Sequence, residues 1–478
     1  MRAKRNMRNP WYLLLLALAF IISSCSSDDN STSVSYNDYC YIKSVTLGTM
    51  KCKVEKRDRL GNLINTFYSS FTGSNYLMTI NQRTGLIENR TPLPYGTQLS
   101  AVVATITFDG SVLKYRVKDS NTEWTAYNST DSLDLTKPLE LHLTSNDAQS
   151  SRIYYFKVNV YAEEGDSLYW KQCESEVEPL TGMTDTKAFV MDDNLMVLGK
   201  KSSGIVLAER SGIEADGIWE ENATTGLPVE ADLQTLRQQD GKLYVSTDSV
   251  SANKGKIFSS TDAKNWSQVG TTHTAALTLI DKTADYFYAI SEGKLLRSTD
   301  AENWEEESGI EISKLPLSDI RALSVRQTNG NNRIILVGQR EEKDDAGNEV
   351  YPNALVWSKM WNKIEPEKDA EWIYFPLTSD NTVPCPRIEY FNMLSYDGKC
   401  IAFGGASKDG THKALDAMYI SQDYGITWRP STELHMPVQL EGIEGCITST
   451  VDKNNFIWII TNAQVWRGRL NRLGFAQQ

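Results

Sequence analysis

Asp319 and Arg321 share the segment Ser318-Asp319-Ile320-Arg321, and Arg387 and Glu389 share Cys385-Pro386-Arg387-Ile388-Glu389-Tyr390. A guanidinium is planar, permanently charged and forked, so two of them at matching places could grip a carboxylate or sulfate bidentately. Glu444, in Gly442-Ile443-Glu444-Gly445, stands in a third comparable segment. The alternative is that each arginine pairs with its own neighbour, Asp319 or Glu389, as a rim salt bridge. Little else in the chain has catalytic spacing. His142, His273, His412 and His435 are the four histidines, with no H-E-x-x-H among them and no pair at metal-ligand spacing. There is no G-x-S-x-G elbow and no phosphate loop. Asp344-Asp345-Ala346-Gly347-Asn348-Glu349 lacks the alternating ligands and closing bidentate Glu of a calcium loop, and reads as a hairpin tip. No catalytic residue, metal or cofactor is expected.

A second set of carboxylates is repeated, and repetition argues for structure. Ser260-Thr261-Asp262-Ala263-Lys264-Asn265-Trp266 recurs as Ser298-Thr299-Asp300-Ala301-Glu302-Asn303-Trp304, and, one residue longer, from Ser421 through Asp423 and Gly425 to Trp428. Each copy follows a short apolar strand, the pattern of stacked supersecondary units. Asp and Ser in such a turn can accept backbone N–H groups, while the tryptophan buries a large ring between units.

Six units can be laid out beyond residue 165. Their apolar runs are Leu195–Gly199, Lys242–Val245, Tyr286–Ile290, Ile334–Gly338, Ile401–Gly405 and Phe456–Ile460. The last unit lacks a tryptophan-bearing outer strand, whereas Leu168-Tyr169-Trp170-Lys171 stands alone at the start of this region. The Trp170 strand is therefore expected to complete the final unit and leave no open sheet edge. The reading is an all-β chain: an N-terminal β-sandwich followed by a six-bladed β-propeller, with seven blades as the alternative. The Ser-x-Asp…Trp copies resemble the Asp-box of sialidase-like propellers, with Ser421–Trp428 the fullest match. That resemblance implies turns on the face opposite any ligand. Pro386-Arg387-Ile388-Glu389 also echoes the arginine motif of those enzymes, with Glu389 in place of the expected proline.

Of twelve tryptophans only Trp124 falls between the start of the region after residue 36 and residue 165, a shift that sets a boundary near Glu163–Asp166. Strand-like runs such as Tyr76–Ile80, Val102–Phe108 and Ile153–Tyr161 fill residues 37–164, and 165–478 form the second domain. Gly73–Gln82 followed by Leu93-Pro94-Tyr95-Gly96-Thr97 resembles a Bacteroidota outer-membrane lipoprotein family of unassigned activity. In that family an immunoglobulin-like part precedes a propeller. The N-terminus agrees: Arg2, Lys4, Arg5 and Arg8 precede an apolar stretch from Trp11 to Ile22, too short to span a bilayer well. Ile22-Ser23-Ser24-Cys25 resembles a lipobox, which makes residues 1–24 a signal peptide and Cys25 the lipidated residue. The acidic tether, residues 25–36, resembles the signal for export to the outer face of the outer membrane.

Losing residues 1–24 removes four positive charges and moves the formal net charge from −12 to −16. Such an acidic chain argues against nucleic acid and against adsorption to anionic lipid heads. The remaining cysteines match neither a disulfide framework nor a zinc site. Three functions remain. The first is a non-enzymatic, surface-anchored module that binds a glycan or an envelope protein. The second is a glycan-processing hydrolase or lyase at the channel mouth, which needs two carboxylates roughly 5 to 10 Å apart. An assembly scaffold is the third.

Overall fold

The computed structural model describes residues 38–57, 62–120, 122–213, 217–247, 255–326, 331–362, 364–365, 369–378, 382–431 and 434–474. The expected signal peptide, Cys25 and the acidic tether lie outside the described residues. No helix among the described residues is long and apolar enough to cross a membrane.

The described chain divides into two compact units. The smaller takes residues up to Met50 with Thr72–Thr91 and Leu99–Asn159; the larger takes Lys51–Phe71, Pro92–Gln98 and Val160 onward. In the smaller unit, one sheet orders Tyr41–Leu47, Val102–Asp109 and Ser132–Leu133, and a six-stranded sheet centres on Ser151–Phe156 and Leu139–Thr144. Ile42, Val45 and Leu47 of the first sheet and Leu141, Leu143, Tyr154 and Phe156 of the second are buried. The Tyr154 hydroxyl joins them, accepting from the Ile42 amide at 3.1 Å and donating to Gln82 Oε1 at 2.8 Å. The strand read from Ile153 to Tyr161 stops at Phe156, and Val160 instead bridges Leu93.

Six four-stranded antiparallel sheets follow among the described residues of the larger unit. Their first strands are Thr184–Met191, Arg237–Gln239, Thr278–Lys282, Ser318–Arg326, Asn392–Tyr396 and Ile447–Val451. The apolar runs of the sequence become mostly second strands, buried on both faces: Leu195–Leu198, Ile334–Val337 and Ile457–Ile460 are at most 5% exposed. That double burial is why they contain so few polar residues. Tight turns with positive φ at both central residues reverse the chain, as at Asp192-Asp193, Asp240-Gly241 and Asp397-Gly398.

Packing closes the sheets into a circuit. One apolar cluster joins sheets one and two through Leu198, Leu207, Leu243 and Trp266. Others join each following pair, and the last places Trp458, Ile460 and Val465 of sheet six against Ala188 and Val197 of sheet one. Leu168–Glu174 supplies the fourth strand of sheet six by pairing with Gln464–Leu470, as the isolated Trp170 segment led us to expect. Trp170 donates its indole N–H to the His435 carbonyl at 2.7 Å, and its ring fills the space a Cβ on Gly468 would need.

The three repeated turns join third to fourth strands in sheets two, three and five. Asp262 Oδ1 accepts the Lys264 and Asn265 amides at 2.9 and 2.7 Å, and Asp300 Oδ1 accepts those of Glu302 and Asn303 at 2.8 Å each. Asp423 Oδ1 accepts the Thr427 amide at 2.9 Å, and Ser421 Oγ accepts the Gly425 amide at 2.7 Å. The indoles of Trp266 and Trp428 donate back to the Ala263 and Gly425 carbonyls, each at 2.9 Å. Ala263 and Ala301 occupy left-handed backbone, both at φ 60°. Removing the Cβ there relieves strain, which costs an alanine roughly 1 kcal/mol in this region.

Two outcomes test this description. Trp170→Ala should destabilise the larger unit by about 2–4 kcal/mol, and Gly468→Val should do likewise by expelling the ring; chemical denaturation reads both. If both variants unfold like the parent, the closing strand does not hold the circuit. The second concerns acid. Burial raises the Asp262 carboxyl, but amide and side-chain hydrogen bonds from Asn265 and others outweigh it; those from Asn303 similarly hold Asp300 well below the usual carboxylate range. Depressed values stabilise the fold above the ordinary carboxylate pKa near 4, and that stability drains as pH falls through the folded values. Asp262→Ala should therefore lower the Tm by roughly 2–4 °C at pH 7. The gap from the parent should narrow toward pH 2, and a gap that stays constant would contradict the assignment.

Candidate functional site

The first strands of the six sheets pack side by side around one channel: Thr184–Met191 touches Ile447–Val451, which touches Asn392–Tyr396, and so on round to Thr278–Lys282 and Arg237–Gln239. The short 3-10 turn Leu233–Thr235 lies in this space, touching first strands of sheets one, three and four. It forms because Asp232 caps it, accepting the Gln234 amide at 3.0 Å. Gln234 then reaches across, donating its side-chain amide to Asp185 Oδ1 at 3.0 Å and to the Thr186 carbonyl at 3.1 Å.

Around that turn the channel gathers charge from four sheets. Asp185 and Lys187 come from sheet one, Asp232 and Arg237 from the turn and first strand of sheet two, Asp281 from sheet three and Arg321 from sheet four. Each carboxylate is engaged. Asp185 pairs with Lys200 at 3.0 Å, Asp232 caps the turn, and Asp281 accepts the Ser324 hydroxyl. The cations are held differently. Arg237 donates to the carbonyls of Ile280, Gln234 and Leu236, and Arg321 donates to the Ile320 carbonyl at 3.0 Å. Neither arginine has a carboxylate oxygen within 4.0 Å among the described residues, and the Lys187 ammonium has neither an ion pair nor a hydrogen bond there.

The electrostatics follow from that crowding. Burial, and then the like charges of Arg237 and Arg321, push Lys187 down to about 7. Burial pushes Arg237 down to about 10 and lowers Arg321. Burial raises Asp232, with a push from Asp185, and raises Asp281 against the Ser324 hydrogen bond. Charged forms are disfavoured where solvent is scarce, and unpaired cations most of all.

The residues singled out in the sequence are distributed along this face. Arg321 stands in the channel, and Asp319 pairs with Lys408 at 3.8 Å instead of being its partner within 4.0 Å. Arg387 is buried and is not paired with Glu389. It donates to Glu349 Oε2 at 2.6 Å, Gln339 Oε1 at 3.3 Å and the Tyr351 carbonyl at 3.2 Å. Glu341 lies 3.6 Å from Arg387 and 3.3 Å from Lys408, so the loop 340–354 ties Arg387 to Asp319 through a chain of charges. A two-arginine clamp is thereby corrected: Arg387 is already filled by its own loop, because Glu349 approaches closely enough to saturate one edge of the guanidinium. Glu389 is exposed, and Glu444 is exposed with its carbonyl accepting the Asn462 side-chain amide at 2.6 Å. Nearby, Thr186, Met183, Cys446, Asn462 and Ala463 line a cavity of about 320 Å³ between sheets one and six.

Lys187, Asp232, Arg237 and Asp281 escaped the sequence reading. Lys187 and Asp281 carry one signal, a charge inside a short strand that is otherwise apolar or β-branched, as in Leu279-Ile280-Asp281 and Thr186-Lys187-Ala188-Phe189; Asp232, in a turn cap, and Arg237, in the polar strand Arg237-Gln238-Gln239, carry none.

No curated protein matches the chain. Among solved structures, the α-L-arabinofuranosidase of Fusarium graminearum with arabinobiose aligns at 10% identity and a TM-score of 0.35, over 60% of this chain and 92% of that one. YCF48 from Cyanidioschyzon merolae aligns at 12% identity and a TM-score of 0.31, over 63% and 98%. A glycosyl hydrolase from Bacteroides ovatus aligns at 10% identity and 0.27, over 56% and 96%. The DUF6242 beta propeller domain model matches residues 164–478, and the model of the DUF6242 N-terminal domain, a domain of unknown function, matches residues 45–158. This chain belongs to the DUF6242 family and carries a β-propeller as its C-terminal domain.

Proposed function

We propose that this chain is a lipoprotein, anchored through Cys25 and displayed at the cell surface, whose propeller binds a glycan or an envelope protein without chemical turnover. In this reading each four-stranded sheet is one blade, six in all, and the Ser-x-Asp…Trp turns are Asp-boxes that brace the outer strands. The two sheets of the smaller unit form an immunoglobulin-like sandwich. One observation carries the choice of binding over catalysis: every carboxylate described around the channel turn is already committed to a lysine, a backbone amide or a hydroxyl. A hydrolase needs one carboxyl free to give a proton and another free to attack or to activate water. Asp232 and Asp281, both raised by burial, favour the second reading of a glycan-processing hydrolase or lyase.

A glycan array probed with the mature chain from Cys25 onward, beside an Arg321→Ala variant, separates these readings. The expected result is retention of particular glycans by the parent, weakened in the variant, with no reducing ends released from the retained glycans. Release of reducing ends by the parent, lost in Asp281→Asn, would replace binding by catalysis. If no glycan is retained and cross-linking on cells recovers no envelope partner, the binding reading fails.

A further inference from the structure

We infer that the propeller channel contains an oxyanion-binding site built by Lys187, Arg237 and Arg321, suited to a singly charged carboxylate or sulfate ester. This deepens the binding reading above and rests on it for the direction of approach, from the face that carries Asp319 and the loop 340–354. Three cations from three different sheets converge beside the turn Leu233–Thr235, and none has a carboxylate oxygen within 4.0 Å among the described residues. Each is half-buried and shares its surroundings with carboxylates that stop short of direct contact, so no ion pair within the fold holds the three cations together. An incoming anion supplies that contact.

The remaining donors define what that anion looks like. Arg237 spends Nε and Nη1 on carbonyls, and Arg321 spends Nη1, which leaves the Nη2 edge of each free of any described partner. The Lys187 ammonium keeps all three of its donors. A forked or planar oxyanion accepts from such edges, whereas a neutral hydroxyl leaves the charge uncompensated. Asp185, Asp232 and Asp281 face the same space. Their negative charge opposes a dianion, so a phosphate monoester fits worse than a carboxylate or a sulfate ester. Of the groups around it, Arg237 and Arg321 oppose the charge on Lys187 and Asp232 favours it, while Asp185 and Asp281 lie farther round the same space. The lowered pKa of Lys187 means that an arriving anion raises it again, so binding takes up a proton above neutrality.

Calorimetric titration of the mature chain with sodium glucuronate, methyl sulfate, glucose 6-phosphate and glucose tests the site. Glucuronate and methyl sulfate should bind, glucose should not, and glucose 6-phosphate should bind more weakly. Lys187→Met should weaken glucuronate about tenfold to a hundredfold, the effect of losing a charged hydrogen bond, while Lys187→Arg restores it. Affinity for glucuronate should fall from pH 6 to pH 9 in the parent and stay level in Lys187→Arg. Melting curves accompany each variant, and Lys187→Met is expected to raise the Tm because it removes an ammonium crowded by the like charges of Arg237 and Arg321. Should that variant fail to fold, the parent's pH profile and the comparison with glucose still decide the matter. The inference is overturned if glucuronate binds no better than glucose, or equally well to folded Lys187→Met. Glucuronate binding with an array empty of glycans would sink the glycan reading and leave the site standing. Glycan retention unchanged in Lys187→Met would do the reverse.

Discussion

The larger unit depends on the ladder that joins Leu168–Glu174 to Gln464–Leu470. Without it, sheet six would have three strands and an exposed edge, and the circuit of apolar clusters would end in water. With it, the two ends of a stretch of some three hundred residues are hydrogen-bonded to one another, and every sheet is packed on both faces by its neighbours. Non-local pairing of this kind carries a large chain-closure entropy, which becomes favourable only when the full set of inter-sheet cores can form. Trp458 and Trp466 show the dependence: both are buried, one against sheet one and the other against sheet five.

Closure also sorts the charged residues by place. At the turns between third and fourth strands, Asp262, Asp300 and Asp423 meet backbone amides that point at them, so ionised carboxylates are stabilised where water is plentiful. Around the channel the first strands converge and solvent is restricted, so ionisation is opposed for Asp232, Asp281, Lys187 and Arg321 alike. The same residue type therefore does opposite work at two ends of one sheet. In sheet three, Asp300 braces a turn, while Asp281 holds the Ser324 hydroxyl beside Arg237.

How much of this could be read from the sequence follows from the same division. Second strands are apolar because they are covered on both faces, so Leu195–Leu198 and Ile457–Ile460 announce themselves, and the repeated Ser-x-Asp…Trp turns mark the outer strands. First strands break the pattern because one face lines a polar channel. Thr184-Asp185-Thr186-Lys187 and Arg237-Gln238-Gln239 look like loops until their neighbours are known. Arg321 was conspicuous beside Asp319, yet its environment comes from Asp232 and Asp185, nearly a hundred residues upstream or more. Arg387 and Glu389, two positions apart, suggest a local pair, whereas the carboxylate that Arg387 holds is Glu349 in a loop of another sheet. Within the larger unit Cys52 bridges Thr97, a pairing no local pattern encodes.

The contrast between Arg387 and the channel cations bears on what the propeller is for. Arg387 is buried and fully answered by its own loops, as a structural guanidinium must be when water cannot solvate it. Lys187 is half-buried, with two like charges and Asp232 around it and no described acceptor for its ammonium. A chain able to satisfy Arg387 had the means to satisfy Lys187, for instance by a carboxylate where Thr448 faces the first strand of sheet one. Stability alone favours such a pair, or an apolar side chain, over a lone ammonium. Retention of the lone ammonium beside Arg237 and Arg321 is accounted for when the counter-charge arrives from outside the chain.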